Sequence, residues 1–120
     1  MREQSVPEEL EMDDLDAEAV HFLMRDADGE PIGTARMLER GDAVKIGRVA
    51  ILSELRGHGY GRAIMEFVMD EARTRGFREA KLSSQTYAIP FYESLGFVAE
   101  GPIYDDAGIP HRTMRLGLVR

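Results

Sequence analysis

Apolar and polar positions alternate from Ala19 to Ala27, with Val20, Phe22 and Met24 on one side and His21 and Leu23 on the other. A period of two predicts a strand. The stretch DADGEP, Asp26 to Pro31, reads as a turn, with Gly29 free to adopt positive φ. Ile32 to Arg40 predicts a second strand, Gly41-Asp42 a second turn, and Ala43 to Leu52 a third strand. Tight turns between three strands make an antiparallel meander. The third strand ends in the continuous apolar run VAIL, which predicts burial on both faces and a central place in the sheet.

The period then changes. From about Tyr60 to Arg75, Ala63, Ile64, Phe67, Val68, Glu71 and Ala72 recur at helical spacing. All but Glu71 are apolar, which gives one face that can pack on a sheet. Arg73 and Arg75 in the last turn suit the helix dipole, and Gly76 is a stop. Phe77 to Ser84 holds a short strand around Ala80 to Ser83. Strand, helix, strand implies a right-handed parallel crossover. Pro90 near the start and Gly96 near the end mark AIPFYESLGF, Ala88 to Phe97, as a short helix. FVAEGPIY and HRTMRLGLV read as two final strands around the turn DDAGIP. The expected order is β-β-β-α-β-α-β-β, a mixed sheet of the α/β (α+β) class.

Composition narrows the function. The 120 residues suit a single domain, with 1–18 as an acidic N-terminal segment and 19–120 as the core. Absence of Cys excludes a disulfide framework, a Cys-based zinc site and a Cys nucleophile, and fits a reducing compartment. No residue pattern asks for a metal. A net charge of −7 argues against a general nucleic-acid binder and is compatible with a cationic partner such as an amine. No apolar run approaches the roughly 18 residues of a membrane span, and MREQSVPEEL lacks the apolar core of a signal peptide. The expected location is cytoplasmic.

The densest chemistry lies in RGHGYGR, Arg56 to Arg62. Gly57, Gly59 and Gly61 fall between a strand and a helix start. The first N–H groups of a helix have no internal partner, and the dipole adds positive potential there. Glycines let phosphate oxygens approach the backbone, and Arg56, His58 and Arg62 add donors on an otherwise acidic chain. The spacing is neither a P-loop nor the dinucleotide pattern. It is R-x-x-G-x-G, at Arg56, Gly59 and Gly61.

That motif, after VAIL and before an amphipathic helix, resembles the acetyl-CoA motif of the GNAT N-acetyltransferases. A second block, QTYAIPFYESLGF from Gln85 to Phe97, is similar to the family's N-x-x-A-x-x-x-Y-x-x-x-G-F segment, with Gln85 at the Asn position. Gln there, with AIPFY and the late GIPH, resembles an ElaA-like branch. The resemblance runs from about Asp14 to the C-terminus and implies the GNAT-like acyl-CoA N-acyltransferase fold.

It also implies roles. The pyrophosphate of CoA would sit on the N–H groups of Gly57, His58, Gly59, Tyr60 and Gly61, with Arg56 and Arg62 nearby. The pantetheine arm would pair with the backbone of Val49, Ala50, Ile51 and Leu52. Gln85 and Ala88 would line the far side. Tyr92 falls at the general-acid position, where a phenol assists departure of a thiolate. The acceptor amine must lose a proton, and no motif marks the base. His111, after GIP in a turn, is the first candidate, since imidazole exchanges protons near neutrality. Glu100 and His21 come behind it. The implied activity is acetyl transfer from acetyl-CoA, as co-substrate, to a primary amine on a small molecule or a protein, by direct attack in a ternary complex. A CoA-binding sensor or subunit of the same fold is the alternative.

The departure from the family is at the front. Its members begin with another strand and one or two helices, and this chain starts inside that region. The first strand and most of the first helix are expected to be absent. That leaves a sheet edge to pair with a second copy, a homodimer.

Overall fold

In the computed structural model, residues 9–13 (as backbone), 19–52 and 59–118 are described. Arg56, Gly57 and His58, together with Arg2 to Glu8 and Asp14 to Glu18, lie outside them. A strand β1 (Glu9–Asp13) comes first, inside the segment read as an acidic run. It pairs antiparallel with β2 (Ala19–Arg25) from Glu9 opposite Arg25 to Asp13 opposite His21. This corrects the expected order by one strand. Leu10 and Met12 alternate with Glu9, Glu11 and Asp13, and charged residues are tolerated on an edge strand.

The meander continues through β3 (Pro31–Arg40) and β4 (Ala43–Ile51), both antiparallel. Gly29 and Gly41 take φ of 84° and 65° in the two turns, which explains both glycines. Helix α1 (Tyr60–Thr74) crosses over to β5 (Glu79–Gln85), which pairs parallel with β4. A 3-10 turn, Thr86–Ala88, leads into the short helix α2 (Ile89–Ser94), and the hairpin β6 (Val98–Asp106) and β7 (Ile109–Gly117) completes the chain. The seven strands run in the order β1-β2-β3-β4-β5-β7-β6, so β4 is central as expected. No described helix is long and apolar enough to cross a membrane.

One face of the sheet carries the core. Val20, Phe22 and Met24 of β2, Ala35 and Met37 of β3, and Ile46 of β4 are buried against α1. The helix presents Ile64, Met65, Val68, Met69 and Ala72, at i, i+1, i+4, i+5 and i+8. The buried stripe is therefore turned from the expected one. Ala63 and Phe67 sit at its margin, where Phe67 meets Phe22 edge-on at 5.6 Å. Each such side chain contributes roughly 1.5–3 kcal/mol when fully buried. Arg75 does not simply face the dipole. It bonds Glu71 at 2.8 Å and Glu39 of β3 at 3.2 Å, fastening the helix end to the sheet.

Candidate active site

The site begins with a fault in β4. Thr34 pairs with Ala50, but Arg36 pairs with Gly47. One residue of β3 thus faces two of β4, Arg48 and Val49, which is a bulge. Arg48 takes the left-handed φ of 54°, a conformation that costs an L-residue roughly 1–2 kcal/mol. A bulge bends its strand and sharpens the twist. Just ahead of it, past Lys45, β4 leaves β5. Their parallel pairing covers only Ala43 with Glu79, Val44 with Ala80 and Lys45 with Lys81. From there β4 stays with β3 and β5 stays with β7.

The two strands open onto a cleft of about 300 Å³. One wall is Ile46, Gly47, Arg48 and Val49 of β4. The other is Leu82, Ser83, Ser84 and Gln85 of β5. Tyr87, Ala88 and Tyr92 close it from the helix side, and His111 of β7 borders it. The cleft passes through the sheet. Ser84 is buried on the helix-covered face, so Gln85, and His111 paired opposite it, belong to the other face. The β5-facing backbone of β4 past Lys45 has no strand partner there. An extended ligand carrying amides fits such an edge.

Tyr92 stands edge-on to Phe91 at 5.0 Å and to Phe97 at 6.0 Å. Its hydroxyl has no protein hydrogen-bond partner among the described residues. Burial raises the phenol above its ordinary value, and the neighbouring Tyr87 adds to the effect. The group therefore stays protonated at neutral pH and remains a donor. His111 is fixed differently. Its Nδ1 lies 2.8 Å from the carbonyl oxygen of Ile109, which can only accept. The proton of the neutral ring then sits on Nδ1 and leaves Nε2 with a free lone pair. The Tyr104 ring stacks on the imidazole at 6.1 Å, and the Tyr104 hydroxyl bonds Ser83 Oγ.

The two described glycines of the loop serve different ends. Gly59 caps α1 with φ 86°, and its Cα faces open space. No side chain caps this end, so the first N–H groups of α1 remain for a ligand. Gly61 lies under Phe91, where a Cβ would sit 3.4 Å from Cζ, so α2 packs on the first turn of α1 here. Gly59→Ala is expected to lower stability by about 1–2 kcal/mol, the cost of a left-handed L-residue, as read by urea denaturation.

Comparison with known proteins gives the context. The sequence matches the family described as acetyltransferase (GNAT) domain over residues 2–118. The chain belongs to the GNAT acetyltransferase family. It is 35% identical over 115 residues to the uncharacterized N-acetyltransferase YjcF of Bacillus subtilis, covering 95% of this chain and 81% of that one. Among solved structures, an acyl-CoA N-acyltransferase from Pseudomonas aeruginosa is 32% identical with a TM-score of 0.76, covering 86% of this chain and 71% of that one. Escherichia coli ElaA is 28% identical with a TM-score of 0.74, covering 86% and 74%. The protein is an acetyl-CoA-dependent N-acetyltransferase with the GNAT fold.

Within this GNAT domain, the cleft brings together Val49, Gln85, Ala88, Tyr92 and His111 from the sequence reading. Other residues stand elsewhere. Ala50 is exposed and, with Ile51, lines a different, apolar depression beside Leu23 and Pro31. The run VAIL is thus not buried on both faces, and Leu52 is 44% exposed. The ring of Tyr60 is 5% exposed and belongs to the core, so only its backbone is available to a ligand. Arg62 is committed to neighbours: it bonds Ser94 Oγ at 2.9 Å and lies 3.5 Å from Glu66, tying α2 to α1. Glu100 is held by Arg115 at 2.7 Å, and His21 lies out on β2, opposite Arg36. The sequence reading missed Arg48 and Tyr87. Gly47 inside a strand pattern was the available sign of the bulge.

Proposed function

We propose that this cleft transfers an acetyl group from acetyl-CoA to a primary amine by direct attack in a ternary complex. The observation that carries the reading is the separation of β4 from β5 beyond Lys45, with Tyr92 on the helix side and His111 on the opposite side. The residues present fit the co-substrate. The unpaired backbone of β4 suits the amides of the pantetheine arm, and the uncapped N-terminus of α1 suits the pyrophosphate. Arg48 adds a cation with no ion-pair partner among the described residues.

The acceptor reaches the cleft from the open face. Its nitrogen attacks the thioester carbonyl carbon, and a C–N bond forms as charge moves to the carbonyl oxygen. The charge then returns and the C–S bond breaks. Tyr92 O–H donates to the departing sulfur, so CoA leaves as a thiol rather than a bare thiolate. The proton lost by the amine goes to His111 Nε2, or through water to solvent. The anchored Nδ1–H fixes the orientation of the imidazole during that transfer.

The test is release of CoA thiol from acetyl-CoA across a panel of amines. Acceptor-dependent release with a stoichiometric N-acetyl product supports the reading. Tight binding of acetyl-CoA with no release for any amine contradicts it.

A further inference from the structure

Another cavity lies against the cleft. It measures about 400 Å³ and shares Leu82 and Ser83 with the cleft. Its rim carries Arg40, Lys45 and Lys81, and among the described residues no carboxylate lines either cavity. That is unexpected on a chain with a net charge of −7.

The sheet register explains the clustering. Lys45 and Lys81 are direct neighbours in the parallel ladder, and Arg40 stands opposite Ala43. Arg36, opposite Gly47, falls on the same side. This is the face away from α1 and α2, and it carries no helix among the described residues. Like charges side by side on adjacent strands repel. Among the described residues, little neutralises Lys45 and Lys81. Glu79 gives one oxygen to Arg115 at 3.2 Å and leaves Lys81 at 3.9 Å from the other. Glu100 is also taken by Arg115. Lys45 has no ion-pair partner among the described residues, and Arg36 Nε is buried with no hydrogen-bond partner among them. An anion lodged here would offset the repulsion.

We propose that this face selects acceptors that carry an anionic group, a carboxylate or a phosphate, as well as the amine. Lys45 and Lys81 hold the anion while the amine reaches past Ser83 to His111. The inference rests on the acetyl-transfer reading and names its substrate class. It disfavours polyamines, whose second ammonium would meet the lysines.

The experiment compares kcat/KM for an ω-aminocarboxylate, an aminoalkyl phosphate, the neutral amide of the carboxylate, and the diamine, all of one chain length. The anionic acceptors are expected to exceed the diamine by about tenfold or more, the ratio that 1.4 kcal/mol gives. In the double variant Lys45→Glu, Lys81→Glu the order should invert, and Lys45→Arg, Lys81→Arg should restore it. Both lysines are exposed, and the single Lys→Gln changes provide a second set should the double variant fold poorly. Acetyl-CoA affinity by calorimetry in each variant separates a lost acceptor site from a lost fold. An equal or higher rate for the diamine in the wild type, or an unchanged order in the variants, overturns the proposal alone. Acetyl-CoA binding with no turnover of any acceptor overturns the acetyl-transfer reading and the proposal with it.

Discussion

Tyr92→Phe is expected to lower kcat by about a hundredfold or more, the range for removing a general acid. Acetyl-CoA affinity should change little. A phenyl ring keeps the edge contacts with Phe91 and Phe97, so the variant should fold. Only the donor is lost, and with it the proton for the leaving sulfur. The raised pKa of Tyr92 adds a pH signature. Burial favours the neutral phenol in the folded protein, so its contribution to stability is complete below the ordinary value of 10.0 and lost as pH rises beyond it. The wild-type rate should therefore show no loss from this group below that pH. The check is a pH–rate profile of both proteins with thiol release as readout. Equal kcat values would remove Tyr92 from the chemistry.

His111→Ala is expected to cost about a hundredfold in kcat/KM near neutral pH, the low end for a general base. The loss should shrink as pH rises toward the amine's own pKa, about 10.4 for an alkylamine, because less of the acceptor then has to be deprotonated before it attacks. A purely structural role gives a different result. Removing the ring that stacks on Tyr104 would disturb the β6–β7 hairpin at every pH. A deficit that persists unchanged at alkaline pH would assign His111 to architecture rather than proton transfer.

The sequence carried most of the sheet because its meander is local. Alternation from Val20 to Met24 and glycines at both turns leave little freedom in pairing β2, β3 and β4. The neighbourhood of Gln85, Ala88 and Tyr92 was legible too, since motif spacing placed them on one strand end, turn and short helix. Three features were not. The edge strand β1 hides in a run of acids, because an edge strand can present charge to water. The bulge at Arg48 depends on how β3 and β4 register across the sheet, and a lone Gly47 is a faint mark of it. The basic face is the least visible. Arg36, Arg40, Lys45 and Lys81 are scattered over 46 positions, and the pairing of β4 with β3 and with β5 gathers them. The apolar run Val49 to Leu52 misled for a related reason. It follows a bulge at the edge of an opening and so is not enclosed by neighbours on both sides.

The proposed acetyl-CoA site is the edge of β4 that parts from β5 past Lys45. Amide hydrogen exchange with and without saturating acetyl-CoA tests it most directly. The account predicts slower exchange at amides within 46–51 and in the first turn of α1, with β1 and β6 unaffected. Unchanged exchange along β4, in a sample that calorimetry shows to be fully bound, would contradict it.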